Sequence, residues 1–179
     1  MNCEGSEKQA AKSVAVVPAG IWGTALALVL ADNGHSVRLW HRDEEVVEAI
    51  NRDRVNPRHL ADTPLPRGIT GIGSLERAME GAAAVVVVPA SHAFREVMER
   101  VAAAAEPEQV FLSATKGLEP GSHNRMSEVM ADYLAGAEER TAVLSGPNFA
   151  VEVAQRLPTS TVVASKSRAT AELFQSLFF

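Results

Sequence analysis

A single cysteine, Cys3, leaves this 179-residue chain without a partner for an internal disulfide, and no Cys/His cluster has metal-ligand spacing. That usage suits a reducing compartment. Long apolar runs are also missing: stretches such as "AAAVVVV" fall far short of the ~20 residues a membrane span needs. The opening "MNCEGSEKQAAK" lacks the apolar core of a secretory signal, so residues 1–12 are expected to form a disordered tail on a cytoplasmic chain with no membrane insertion. No block of five or more basic residues occurs, and the formal net charge is −5, which argues against a nucleic-acid partner. Disorder throughout is excluded as well, because 46% hydrophobic and 22% charged residues are ordinary globular values.

What is present is an alternation of short β-branched runs and longer helical stretches. "SVAVV" reads as a strand buried on both faces, followed at once by the helix "IWGTALALVLADNG", which Gly34 ends. "HSVRLWH" returns as a strand, and Asp43 caps the helix that follows it. The proline-rich "NPRHLADTPLPRG" is expected on the surface. Four consecutive valines in "AAAVVVVPA" suit a central parallel strand covered on both sides. Further strands are expected in "ITGIG", "EQVFLSATKG", "TAVLSGPNFA" and "TSTVVAS", with helices between them and a final helix in "ATAELFQSLFF". This order predicts an α/β fold: a doubly wound, mostly parallel, Rossmann-like sheet filling residues 13–179.

In such sheets ligands bind beyond the carboxyl ends of the strands, so the first strand-to-helix turn is the default phosphate site. Gly20 and Gly23 hold the second and third positions of a G-x-G-x-x-G fingerprint. The second lets a pyrophosphate approach the backbone, and the third lets helix and strand pack closely. The N–H groups of the helix start, including that of Ile21, then face the phosphates. Pro18 stands where the first glycine belongs, fixing φ near about −65° and removing an N–H. Taken alone, the turn is compatible with a cofactor site or with packing only. The second strand ends in Trp40, His41 and Arg42, where an NAD-preferring site places an acid; the first acid is Asp43. A guanidinium suits a 2′-phosphate, so Arg42 favours NADP(H) over NAD(H), its alternative role being that of a solvated side chain before a helix cap.

Taken together, "AGIWGTALALVLADNGHSVRLWHRDEEVVEAIN", "SHAFREV", "ATKGLEPG" and "LSGPNFAVEVAQRLPT" resemble the N-terminal domain of bacterial NAD(P)-dependent glycerol-3-phosphate dehydrogenases, from about Val14 onward. The resemblance implies an oxidoreductase interconverting sn-glycerol 3-phosphate and dihydroxyacetone phosphate for phospholipid synthesis. It implies that Trp22 and Arg42 contact the cofactor, that Lys116 reaches cofactor and substrate, that Gly146 and Asn148 lie at the substrate, and that Ala150 lies at the nicotinamide end. His41 is grouped with Arg42 at the ribose end. Asn148 also reads as a cap for the helix it precedes, and Lys116 as a solvated lysine. His92 is either an acid-base residue or simply a first-turn histidine.

The sequence departs from the family at Pro18, at Ile21 in place of a small, usually serine, residue, and at Pro89, which sits one place early. The family's second, helical domain carries its general-base lysine, and Phe179 stands about where that domain should begin. No residue here is therefore assigned as catalytic, and the chain alone is expected to be inactive or nearly so. A non-catalytic nucleotide-binding module and a remnant with impaired cofactor binding are the rival readings. The apolar "ELFQSLFF" is expected to be a packed face, a contact site for a partner or second copy, or an aggregation liability.

Overall fold

A computed structural model describes residues 10–179, so most of the expected N-terminal tail, and Cys3 with it, lies outside the described residues. Seven strands form one sheet: β1 (Ser13–Val17), β2 (Ser36–Trp40), β3 (Ile69–Ile72), β4 (Ala84–Val87), β5 (Val110–Ser113), β6 (Thr141–Ser145) and β7 (Val162–Ser165). Their spatial order is β3-β2-β1-β4-β5-β6-β7. Every neighbouring pair is parallel except β6 with β7. The helices are α1 (Ile21–Asp32), α2 (Glu44–Arg52), α3 (Leu75–Met79), α4 (Phe94–Ala103), α5 (Met126–Tyr133), α6 (Ala137–Arg140), α7 (Ala150–Ala154) and α8 (Arg168–Phe178).

The two-sided burial expected of the β-branched strands is what the core contains. Val14 and Val16 of β1 join a cluster with Leu26 and Leu30 of α1, Ile50 of α2 and Phe174 of α8. Ala15 and Val17 face the other way, onto Leu75 of α3, Phe94 and Met98 of α4, and Met130 of α5. All four residues of β4 are fully buried. Each buried valine contributes about 1.5–3 kcal/mol, which makes β1 and β4 the centre of stability. They are also hydrogen-bonded neighbours, with Val17 beside Val87. Because β2 lies on one side of β1 and β4 on the other, the strand order reverses there, opening a crevice above their carboxyl ends.

Three details refine the expected picture. β7 is the one antiparallel strand of the mostly parallel sheet, the chain returning through the short α7 to pair β7 against β6. The loop "NPRHLADTPLPRG" is not wholly superficial, since Asn56 and Leu65 are buried. The apolar face of α8 resolves as a packed one: Phe174 and Leu177 are completely buried, and Phe179 stays exposed.

The end of α8 is tied down by polar contacts. Asn33 Nδ2 donates to the Leu177 carbonyl at 3.0 Å. Buried His35 accepts at Nδ1 from the Lys12 N–H at 3.3 Å. Burial holds the His35 pKa below the ordinary 6.5, against the opposing effect of the Leu177 carbonyl. The unfolded chain therefore takes up this proton more readily than the folded one. Stability is full above about pH 6.5 and falls as pH drops below it. We expect the urea midpoint to decrease between about pH 7.5 and 5.5, and His35→Gln to shrink that decrease; an unchanged pH dependence in the variant would exclude His35 as its source.

Candidate functional site

The switch-point crevice continues into a cleft of about 770 Å³ running from Gly20 past Trp22 and Thr115 to Gly146, Asn148 and Ala150. A smaller hollow of about 390 Å³ adjoins it, sharing Gly20, Pro89 and Ala90, and is lined by His41, Arg42, His59 and His92 among others. One groove thus has its narrowest chemistry at Gly20, with a cationic pocket at one end and an apolar, amide-edged cleft at the other.

At the centre, local sequence dictates the turn. Thr24 N–H already bonds to the Gly20 carbonyl at 2.8 Å, so α1 begins immediately after Gly20. The first turn of α1 contains no acidic side chain, which leaves its positive end uncompensated. A Cβ built on Gly20 would meet nothing within 4 Å, so the space above it belongs to the groove. At Gly23 a Cβ would lie 2.1 Å from the Pro18 carbonyl oxygen, so glycine is required for the helix to approach the strand end. Ile21 is 43% exposed and lines the wider cleft without closing it.

Toward the wide end, Trp22 Nε1 donates to the Ala114 carbonyl at 3.1 Å, fastening α1 to the end of β5. The Lys116 ammonium stands 5.4 Å from the centre of the Trp22 ring and 3.5 Å from the Gly146 carbonyl. The loop that follows Lys116 is anchored by a two-pronged pair between Arg95 and Glu119, at 2.6 and 2.9 Å. Hydrogen bonding from Arg95 holds the Glu119 carboxyl at about 2, so the anchor persists across the physiological range. Exposed Lys116 therefore projects from a fixed loop.

The β6–α7 turn is built by two residues. A Cβ on Gly146 would fall 2.3 Å from the Ser160 carbonyl, so only glycine lets these segments meet. Asn148 is buried and donates to Thr159 Oγ1 at 2.8 Å and to the Ser160 carbonyl at 2.9 Å. It is not the helix cap its position implied: Phe149 occupies the cap position of α7, and no side chain bonds the free N–H groups there. Asn148 Oδ1 has no hydrogen-bond partner among the described residues, leaving a buried acceptor in the wall of the cleft. An uncompensated acceptor of this kind suits a ligand hydroxyl or amide. With the open helix terminus and the clear space above Gly20, it fits a bound dinucleotide and small polar substrate.

At the cationic end, His41 Nδ1 accepts from the Asp43 N–H at 3.1 Å, which leaves Nε2 to carry the ring proton. Burial lowers the His41 pKa, and Arg58 and His59 also act to lower it. Exposed Arg42 and His92 stand in the lining of the same hollow, while Ser91, the residue before His92, lines the wider cleft with Lys116. Sequence reading missed His59 and the residue that places it. Asn56 Nδ2 donates to the Ala19 carbonyl at 3.0 Å and to Thr24 Oγ1 at 2.9 Å, pinning its loop to the glycine turn. The only local signal was an asparagine before proline, which marks any turn. Among the described residues no three His, Cys, Asp or Glu side chains gather as a metal site, and no helix is long and apolar enough to cross a membrane.

A family model described as the N-terminus of NAD-dependent glycerol-3-phosphate dehydrogenase matches residues 13–171. The chain is 46% identical over 165 residues to glycerol-3-phosphate dehydrogenase [NAD(P)+] of Parafrankia sp., covering 92% of this chain and 49% of that protein. It is 41% identical over 167 residues to the protein of that name from Geobacillus thermodenitrificans, covering 93% and 49%. The crystal structure of glycerol-3-phosphate dehydrogenase from Coxiella burnetii superposes with a TM-score of 0.84 at 36% identity, over 93% of this chain and 51% of that one. The chain thus spans about half the length of the curated relatives it matches.

Proposed function

Since this chain belongs to the NAD-dependent glycerol-3-phosphate dehydrogenase family, as its N-terminal dinucleotide-binding part, we propose that it holds NADP(H) along the groove through Gly20 and presents the nicotinamide beside Lys116. The reaction of the whole protein is the interconversion of sn-glycerol 3-phosphate and dihydroxyacetone phosphate, in the cytoplasm and in service of phospholipid synthesis. One observation carries the reading: a helix terminus free of acids opens onto a single groove with guanidiniums at one end and an ammonium with an orphaned amide oxygen at the other.

The dinucleotide supplies hydride exchange with the substrate. The chain's residues bind and orient. The N–H groups of Ile21, Trp22 and Gly23 receive the diphosphate, and His41 and Arg42 take the adenosine ribose and its 2′-phosphate. Lys116 attracts the substrate phosphate or polarises its carbonyl, in company with Gly146 and Asn148, while Ala150 borders the nicotinamide. Among the described residues none is assigned as the base for proton transfer from the substrate hydroxyl, a role that contributes roughly 10²–10⁴ in rate where it is filled. Phe174 and Leu177 of α8 are packed inside, so a homodimer or partner contact through this helix would use its exposed end at Phe179.

Calorimetric titration with NADPH and NADH side by side tests the reading. NADPH is expected to bind at least about tenfold more tightly, because the charge-assisted phosphate contact contributes more than 1.4 kcal/mol. Absence of heat with both cofactors would favour the impaired remnant. Oxidation of NADPH with dihydroxyacetone phosphate at the rate of a complete enzyme would show that a residue of this chain serves as the base.

A further inference from the structure

Asp43 is the acid nearest in sequence to the end of β2, and its carboxylate is fully engaged. Its Oδ1 accepts the Glu45 N–H at 3.0 Å as the cap of α2, and its Oδ2 pairs with the Arg58 guanidinium. Glu44 and Glu45 add two more carboxylates in the first turn of α2. Arg58 is the cation ion-paired with Asp43 beside this acidic first turn. Its place is not accidental to the loop: the Arg58 N–H donates to Asn56 Oδ1 at 3.2 Å, and Asn56 is the buried residue fastened to the glycine turn. The pair borders the hollow: Asp43 follows Arg42 in sequence and donates its N–H to His41 Nδ1 at 3.1 Å, Arg58 precedes His59, and His41, Arg42 and His59 all line it. The other charges facing that hollow are Arg42, Arg100 and Glu96, with His59 and His92.

We propose that Arg58 is a specificity-determining residue that secures preference for a 2′-phosphorylated cofactor by neutralising the Asp43 carboxylate beside Arg42. This deepens the cofactor reading above and rests on it. A bare carboxylate next to a phosphate dianion repels it, whereas a ribose diol feels no such penalty. Arg58 therefore acts through Asp43, as a positioning and charge-balancing residue, without touching the phosphate. The inference differs from a general basic-patch argument in one respect: removing the acid together with the arginine must restore binding.

The experiment uses the 179-residue chain, titrated calorimetrically with NADPH and with NADH. Arg58→Gln is expected to weaken NADPH about tenfold and leave NADH within about twofold. Its NADH binding also shows that the variant is folded. Asp43→Asn combined with Arg58→Gln is expected to recover most of the NADPH affinity, because asparagine still caps α2. Arg58→Lys should retain the preference, since charge matters here more than fork geometry. Equal losses for both cofactors, or no loss, would overturn the proposal and leave the cofactor site standing. A double variant as weak as Arg58→Gln would overturn it too, by showing that Arg58 contacts the phosphate itself. If the wild-type chain bound neither cofactor, the site reading and this proposal would fall together.

Discussion

Gly23→Ala is expected to lower the unfolding free energy by about 2 kcal/mol or more and to abolish NADPH binding at micromolar concentrations. The added methyl would sit 2.1 Å from the Pro18 carbonyl oxygen and 3.2 Å from Val88 Cγ1. Pro18 is a backbone neighbour with a ring-fixed φ, so relief requires α1 to move away from the strand end. α1 is held there by Leu26, Leu28 and Leu30 in the main core, so motion at its first turn strains the packing along its length. Alanine gains about 1 kcal/mol in helix propensity over glycine, which offsets part of the overlap without removing it. Gly20→Ala supplies the contrast. A methyl there meets nothing within 4 Å, so stability is expected to stay within about 1 kcal/mol while NADPH affinity falls, because the methyl enters the groove. Urea unfolding and NADPH titration of both variants separate the two roles. A stable Gly23→Ala variant would show that helix and strand need no glycine there.

The pair explains how Pro18 is tolerated. The fingerprint's first glycine shapes the turn, but close approach is needed at the third, and open space at the second. Both survive in this chain, and Ile21 turns its branched side chain outward enough to remain 43% exposed.

Elements were legible where a residue's own pattern determines its environment. β4 could be read from its valines because a continuous β-branched run has no polar face to present to water, and all four of its residues are buried. The cap Asp43 could be read because its partner lies two residues away, at Glu45. Lys116, Gly146 and the glycine turn meet in one cleft as strand order dictates. Contacts set by distant segments were not legible. Asn148 looked like a helix cap, yet its amide reaches Thr159 and Ser160, more than ten positions on, in the segment that leads into antiparallel β7. Asn56 looked like a surface turn residue because its partners, Ala19 and Thr24, lie more than thirty positions earlier.

Asn56→Ala follows from that last contact, with an expected loss of about 2–4 kcal/mol in stability and a marked weakening of NADPH binding. Asn56 is fully buried, so its deletion leaves the Ala19 carbonyl and Thr24 Oγ1 without their donor in a site water does not reach. Each unsatisfied group costs about 1–3 kcal/mol, and the void left by the amide adds to it. Ala19 directly precedes Gly20, so freeing its carbonyl loosens the phosphate turn, and the loop bearing Arg58 and His59 loses its pin at the same time. Asn56→Asp separates shape from hydrogen bonding. It preserves volume and the acceptor for the Arg58 N–H, but it replaces the amide donor with a carboxylate facing the Ala19 carbonyl. It is expected to be at least as destabilising as alanine near neutral pH, because a buried carboxylate without a cation carries a large desolvation cost. Chemical unfolding of both variants decides the point. If aspartate were tolerated while alanine was not, filling space would be the function of Asn56, and the donated bonds to the glycine turn would be incidental.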